Sequence, residues 1–241
     1  EVFQTGELSF NIIPDRENPQ DENGDNVYEI TVIAEDEANS TRQNIRVTVT
    51  DKNEFSPFIA PDQYFSFNED TQPTAEIGNV VAADQDQSTS FSEWTIVGGN
   101  EQGYFNLDDN GKITLNSVID FETENQFALA VTVSDGEFTS DIEIVTLEVL
   151  DVNEAPVSDT VFTDLELQEG FQSTEIDLSG SFSDPEENEL TFEAFSNDNS
   201  VVSVSVEGSK LLISEQGIGN TTIQIEANDG TLTSESISFL V

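Results

Sequence analysis

Run after run of this sequence alternates apolar with polar residues, and few folds are open to a chain built that way. Val27-Tyr28-Glu29-Ile30-Thr31-Val32, Asn44-Ile45-Arg46-Val47-Thr48-Val49 and Ala128-Leu129-Ala130-Val131-Thr132-Val133 set the pattern. Residues 142–149, 222–226 and 236–239 repeat it. An apolar residue at every second position gives an extended strand one face for a core and one for water. Helical spacing is nearly absent. Turn signals fall between the runs, at Asp109-Asn110-Gly111, Asp135-Gly136 and Asp229-Gly230, where tight hairpins would reverse the chain. Short strands at intervals of about ten residues predict an all-β sandwich.

A longer period lies over the short one. Asp51-Lys52-Asn53-Glu54 returns as Asp151-Val152-Asn153-Glu154, one hundred positions on. Glu69 has its counterpart in Glu169, and Asp84 and Asp86 have theirs in Asp184 and Glu186. Asp135-Gly136 returns slightly early, at Asp229-Gly230. Upstream, Asp15-Arg16-Glu17 matches Asp120-Phe121-Glu122, and Glu35-Asp36 matches Ser134-Asp135. These offsets divide the chain into a C-terminal half-repeat (1–54), a whole repeat (55–154) and a divergent repeat (155–241), a linear array of sandwiches. The half-repeat is expected to open at strand Gly6-Glu7-Leu8-Ser9-Phe10. Both ends read as interior cuts in a longer protein.

Charge narrows the function. Fifty acidic residues face six basic ones (Arg16, Arg42, Arg46, Lys52, Lys112 and Lys210), a formal charge of -44. Phosphate backbones are bound by clustered Lys and Arg that displace counterions, so nucleic acid is excluded as a ligand, and an anionic membrane surface with it. Spread apolar runs and 17 Phe supply cores, so the chain is expected to fold despite its charge. It holds no Cys, His or Met. Thiol and imidazole chemistry, the usual zinc sites and haem ligation are therefore absent. No apolar run approaches the roughly 18 residues of a membrane span. Neither a GxSxG elbow, a phosphate-cradling glycine loop nor an HExxH motif occurs, and the chain is read as non-enzymatic.

The repeating carboxylates sit at strand ends and turns rather than scattered for solubility. Hard cations such as Ca²⁺ take six to eight oxygen ligands from Asp, Glu, Asn and backbone carbonyls. The spacing of Asp84 with Asp86, and of Asp120 with Glu122, turns both carboxylates to one side of an extended segment. Asp51, Asn53 and Glu54 add two carboxylates and an amide on a connector.

In this order the motifs resemble those of cadherin repeats: an N-terminal Glu (Glu69), a DxD (Asp84, Asp86), an LDRE-like pair (Asp120, Glu122), an AxDxG-like Asp (Asp135) and a DxNDxAP-like linker (Asp151-Val152-Asn153-Glu154-Ala155-Pro156). The half-repeat keeps the last three, as Asp15 with Glu17, Asp36, and Asp51 to Pro57. The third repeat is looser and resembles bacterial cadherin-like modules. The resemblance implies tandem Greek-key, immunoglobulin-like sandwiches with calcium at the joints. Carried over by position, the first joint would use Asp15, Glu17, Asp51, Asn53, Glu54, Asp84, Asp86 and Asp135. The second would use Glu69, Asp120, Glu122, Asp151, Asn153, Glu154, Asp184, Glu186 and Asp229. Asp36 would face a preceding repeat. Glu54 and Glu154 depart from the linker Asp of the family, and Glu186 from the second Asp of its DxD.

Two like charges 8 Å apart at an effective dielectric of 20 repel by about 2 kcal/mol. Clusters of this kind would therefore splay without a cation and stiffen with one. The expected role is a calcium-rigidified stalk in a large bacterial surface adhesin, extracellular, whose partners are its own neighbouring repeats and a cell-surface protein or glycan at its tip. Two alternatives stand beside it. A carbohydrate-binding module attached to a polysaccharide-degrading enzyme would use Trp94, Tyr64 and Tyr104 as stacking faces, although Trp94 falls where the family has a core aromatic. A self-associating filament subunit would pair through the incomplete first repeat. Asn39-Ser40-Thr41 and Asn220-Thr221-Thr222 match the glycosylation sequon, which a bacterial chain is expected to leave unmodified.

Overall fold

The computed structural model describes residues 6–86 and 90–241. Every regular element among them is a β-strand. The chain divides into two compact units, Glu1–Asp120 with Glu124–Leu150, and Phe121–Thr123 with Asp151–Val241.

The first unit opens with a hairpin in which β1 (Val27–Glu35) pairs antiparallel with β2 (Ser40–Thr48). Tyr28, Ile30 and Val32 share a half-buried face with Ile45 and Val47, and Phe10 packs edge-on against Tyr28, ring centroids 5.1 Å apart. The segment from Gly6 to Phe10 does not form the expected strand. Within it only Leu8 makes a bridge, because a strand needs a continuous partner edge and this segment meets one at a single residue.

The sandwich that follows contains β3 (Phe58–Ile59), β4 (Tyr64–Asn68), β5 (Glu76–Asn79), β6 (Ala82–Ala83), β7 (Ser92–Gly98), β8 (Phe105–Leu107), β9 (Lys112–Leu115), β10 (Gln126–Ser134) and β11 (Glu143–Leu150). One sheet runs β4-β11-β10-β7, the other β5-β9-β8, and β3 pairs with β6. β4 lies parallel to β11, Tyr64 opposite Thr146 and Asn68 opposite Leu150, while β10 and β11 are antiparallel. The alternation read from the sequence decides which side chains turn inward. Phe127, Leu129, Val131 and Val133 of β10 meet Val145, Leu147 and Val149 of β11, with Ile113 and Leu115 of β9 also buried. Each such side chain removed from water is worth about 1.5–3 kcal/mol. Trp94 is 8% exposed and packs against Phe91. It is the core aromatic expected of its position and offers no stacking face. At Gly111 the Asp-Asn-Gly turn adopts φ +80, where a Cβ would stand 2.7 Å from the Val80 carbonyl oxygen, so only glycine fits.

The second unit holds β12 (Val157–Ser158), β13 (Ser173–Asp177), β14 (Phe182–Ser183), β15 (Thr191–Ser196), β16 (Val202–Glu207), β17 (Lys210–Glu215), β18 (Thr222–Asn228) and β19 (Ile237–Leu240). Its sheets run β15-β18-β19 and β13-β17-β16, with β12 paired to β14. This is the order of the first sandwich, strand for strand, with one difference. Residues 164–168, a hundred positions after β4, are not a strand. The Leu165 N–H donates to the Leu240 carbonyl at 2.8 Å, but the Leu240 N–H turns to the Asp164 side chain at 3.0 Å. Leu178, Leu211, Ile213, Ile223, Ile225 and Phe239 form the core.

Candidate metal centre

In the first unit, carboxylate oxygens of Glu17, Asp51 and Asp86 lie within 4.8 Å of one another. Three pieces of local structure bring them together. Asp15 accepts the N–H groups of Glu17 and Asn18 at 3.1 and 3.2 Å, and this turn presents Glu17. Asp51 follows the end of β2. Asp86 is buried just after β6, where its Oδ2 accepts the N–H groups of Glu54 and Phe55 at 3.1 and 2.9 Å. Asp84 accepts the Asp86 N–H at 2.9 Å. The connector from 51 to 55 is therefore tied to the Asp84–Asp86 turn by its backbone.

Asp135 comes from the turn after β10, where its Oδ1 accepts the N–H groups of Glu137 and Phe138, each at 2.7 Å. Asp36 holds the β1–β2 turn the same way, through Ala38 and Asn39, and Asp229 does so through Thr231 and Leu232. The three positions that the repeat equates thus share one turn.

Buried oxygens with no hydrogen-bond donor are costly unless another positive group satisfies them. Glu17 Oε1, Asn53 Oδ1, Asp84 Oδ2 and Asp135 Oδ2 are of this kind among the described residues. Burial pushes the Glu17 carboxyl above its ordinary value, and the Asp51 and Asp86 carboxylates push the same way against its own backbone N–H. Burial also works against ionisation of Asp135, but the N–H groups of Phe138 and Glu137, with the Asn53 amide, outweigh it and hold that carboxyl low. Hard oxygen donors crowded together, several without a donor of their own, fit a calcium ion.

The second unit holds a comparable cluster, with Glu154 in place of Asp151, the period's counterpart of Asp51. Carboxylate oxygens of Glu122, Glu154 and Glu186 lie within 4.8 Å of one another. Glu186 Oε1 accepts the Glu154 N–H at 3.0 Å, as Asp86 accepts that of Glu54. The longer side chain at 186 therefore does the backbone-tying work of Asp86. Contact with the Glu154 side chain, then the Glu154 N–H, hold the Glu186 carboxyl below its ordinary value. Asn153 donates to Asp229 Oδ2 at 2.8 Å, and that amide with the Leu232 and Thr231 N–H groups holds Asp229 far below it. Asp184 Oδ2 and Glu186 Oε2 have no donor among the described residues.

Glu69 is buried in the first unit, its N–H donating to the Leu150 carbonyl at 3.1 Å. Asp120 and Asp151 are exposed. Asp15 and Asp36 are exposed turn-formers. Glu54 contributes its backbone to the first cluster, and its side chain lies 3.9 Å from Lys52. Sequence reasoning missed Arg16, whose Nε stands 3.6 Å from Asp51 Oδ1 and whose Nη1 donates to the Val49 carbonyl at 3.0 Å. Its place between the two acids of Asp15-Arg16-Glu17 was the available signal.

A family model for the cadherin domain matches residues 63–152. The match takes in the β4–β11 sandwich and ends inside the linker that opens at Asp151. Among curated relatives, the human cadherin EGF LAG seven-pass G-type receptor 2 is 32% identical over 142 residues, covering 54% of this chain and 5% of that protein. Human protocadherin Fat 4 is 31% identical over 132 residues, covering 54% and 3%. The chain thus spans a few per cent of the length of the curated relatives it matches. Of solved structures, PcdhgB3 EC1-4 superposes with a TM-score of 0.57 at 18% identity, covering 93% of this chain and 58% of that one. The protocadherin GammaB4 extracellular domain gives 0.54 at 22%, covering 94% and 37%. These superpositions extend the cadherin-like sandwich fold beyond the matched domain.

Proposed function

We propose that this chain is a calcium-rigidified segment of an extracellular adhesion stalk, built from a half-repeat (1–54), a whole repeat (55–154) and a divergent repeat (155–241). One observation carries the reading. Two carboxylate clusters recur a repeat apart, each next to a linker whose glutamate N–H is bound by the carboxylate at position 86 or 186. Glu17, Asp51, Asn53, Asp84, Asp86 and Asp135 would hold calcium at the first linker. Glu122, Asn153, Glu154, Asp184, Glu186 and Asp229 would contribute at the second, with Glu69, Asp120 and Asp151 as the further ligands the motif order implies. Calcium supplies the positive charge that lets these carboxylates stay ionised side by side. The chain's own part is to fix the oxygens in place through turns at Asp135 and Asp229 and through the linker backbone. Catalysis has no place in this scheme.

A bacterial surface protein is our proposed parent, on the strength of the third repeat's departures from the animal motifs; the curated relatives above are animal proteins. No described helix is long and apolar enough to cross a membrane. The carbohydrate reading has less support, since Trp94 is interior and Tyr104 packs edge-on against Phe127. Tyr64 is exposed, with its hydroxyl bonded to Glu148. Self-association through the first hairpin is the remaining partner proposal, favoured by exposed Phe10, Ile12, Ile13 and Ile33.

The test is small-angle scattering and thermal melting of the chain in calcium and then in EGTA. At a free calcium 100-fold above the dissociation constant, one site adds about 2.7 kcal/mol of stability. The melting temperature should therefore fall on chelation, and the scattering profile should broaden. Identical curves in both buffers would overturn the proposal. Light scattering on a sizing column and a glycan array separate the self-association and carbohydrate readings from it.

A further inference from the structure

Two of the six basic residues in a chain of charge -44 stand at the first carboxylate cluster. Lys52 is exposed, and its 3.9 Å approach to Glu54 is a weak surface pair. Arg16 is different. Its guanidinium is mostly covered, fixed on one side by the Val49 carbonyl at 3.0 Å and facing Asp51 Oδ1 at 3.6 Å on the other. Its own carbonyl accepts the Asn26 amide at 3.0 Å, and Asn26 is buried. Arg16 is thus held at both ends against the residue that shares an oxygen cluster with Glu17 and Asp86. In the next repeat the positions aligned with Arg16 and Lys52 are Phe121 and Val152, which carry no charge.

We propose that Arg16 is a built-in counter-cation of the first linker, one that keeps the linker ordered at low calcium and sets a weaker calcium affinity there. The proposal rests on the calcium reading above. A fixed positive charge beside Asp51 offsets carboxylate repulsion when no metal is bound. The same charge repels an incoming divalent ion a few ångströms away. The two effects share one cause and so move in opposite directions when the charge is removed. With uncharged residues at the aligned positions, the second linker leans on calcium more heavily, and the two linkers stiffen at different calcium concentrations.

The experiment is calcium titration calorimetry of the full chain in a Glu186→Gln background, which weakens the second cluster so that the tight heat reports the first. Melting in EGTA is measured alongside. Arg16→Met should tighten calcium binding by roughly tenfold and lower the melting temperature in EGTA. Arg16→Lys, which keeps the charge but loses the fork, should stay within about twofold of the parent affinity. In the background without Glu186→Gln, Phe121→Arg should weaken binding at the second cluster.

Weaker calcium binding in Arg16→Met would show that the arginine positions ligands rather than opposing the metal, and would overturn the proposal. Equal tightening by Met and Lys would overturn it too, because charge would then not be the cause. Should Arg16→Met fail to fold, Arg16→Lys and Phe121→Arg decide the question alone. A parent chain that takes up no calcium overturns the calcium reading itself, an outcome distinct from all of these.

Discussion

At the scale of single residues, the first cluster is a place where one side chain serves two states with opposite effect. Glu17 has its carboxyl raised by burial and by Asp51 and Asp86. A group whose folded-state pKa is raised contributes stability that is present below its unfolded value and lost as pH rises through the folded one. At neutral pH without metal, the ionised Glu17 is therefore a burden on the fold, and in the proposed calcium-bound state it would be a ligand. Glu17→Gln should raise the melting temperature in EGTA at pH 7 and weaken calcium binding, read by differential scanning calorimetry and by calcium titration. Legibility at this scale was uneven. Trp94 was readable as core because it falls where the resembled family has a core aromatic. Asp86 and Glu186 were readable as partners by period, but their grip on the linker N–H groups was not, since backbone donors leave no mark in a sequence. Arg16 was passed over because an exposed basic residue and one pressed against a carboxylate are written with the same letter.

At the scale of elements, period-two alternation placed the long strands well. β10 and β11 came out within two residues of the runs that suggested them. Short pieces such as β3 and β6 carry too few residues to show a period. The 164–168 segment shows what periodicity leaves open, because its alternating Leu165 and Leu167 resemble the β4 pattern while the Leu240 N–H goes to a side chain instead. Turns outside the clusters carry a testable pH response. Asp108 is held low by the N–H groups of Lys112 and Asn110, Asp177 by that of Ser179, and Asp198 by the hydroxyl and N–H of Ser200. Lowered carboxyls contribute stability above the ordinary value, near pH 4, that is lost as pH falls through the folded ones. In EGTA the melting temperature should drop steadily below about pH 4. Asp108→Asn should blunt part of that drop, which a pH series of melts of both chains would show.

At the scale of the whole molecule, each sandwich has its own core, and the proposed calcium sites lie at the linkers. Neutralising a linker ligand should therefore loosen a joint while the cores stay folded. The parallel pairing of β4 with β11 has a further consequence, a mechanical one. β4 follows the two-residue β3 near the entry to the sandwich and β11 leads the chain out, and because β4 and β11 run parallel, tension on the two ends drags them in opposite directions along one shared seam. The backbone bonds from Tyr64–Thr146 to Asn68–Leu150 are then loaded together, in shear, rather than opened one at a time like a zipper. Pulling single molecules from both ends should show this sandwich yielding abruptly at a high force. A proline at Phe67, which would delete a donor from the seam along with a buried ring, should lower both that force and the melting temperature. A tether that must hold under drag is better served by a clasp loaded this way than by a larger core.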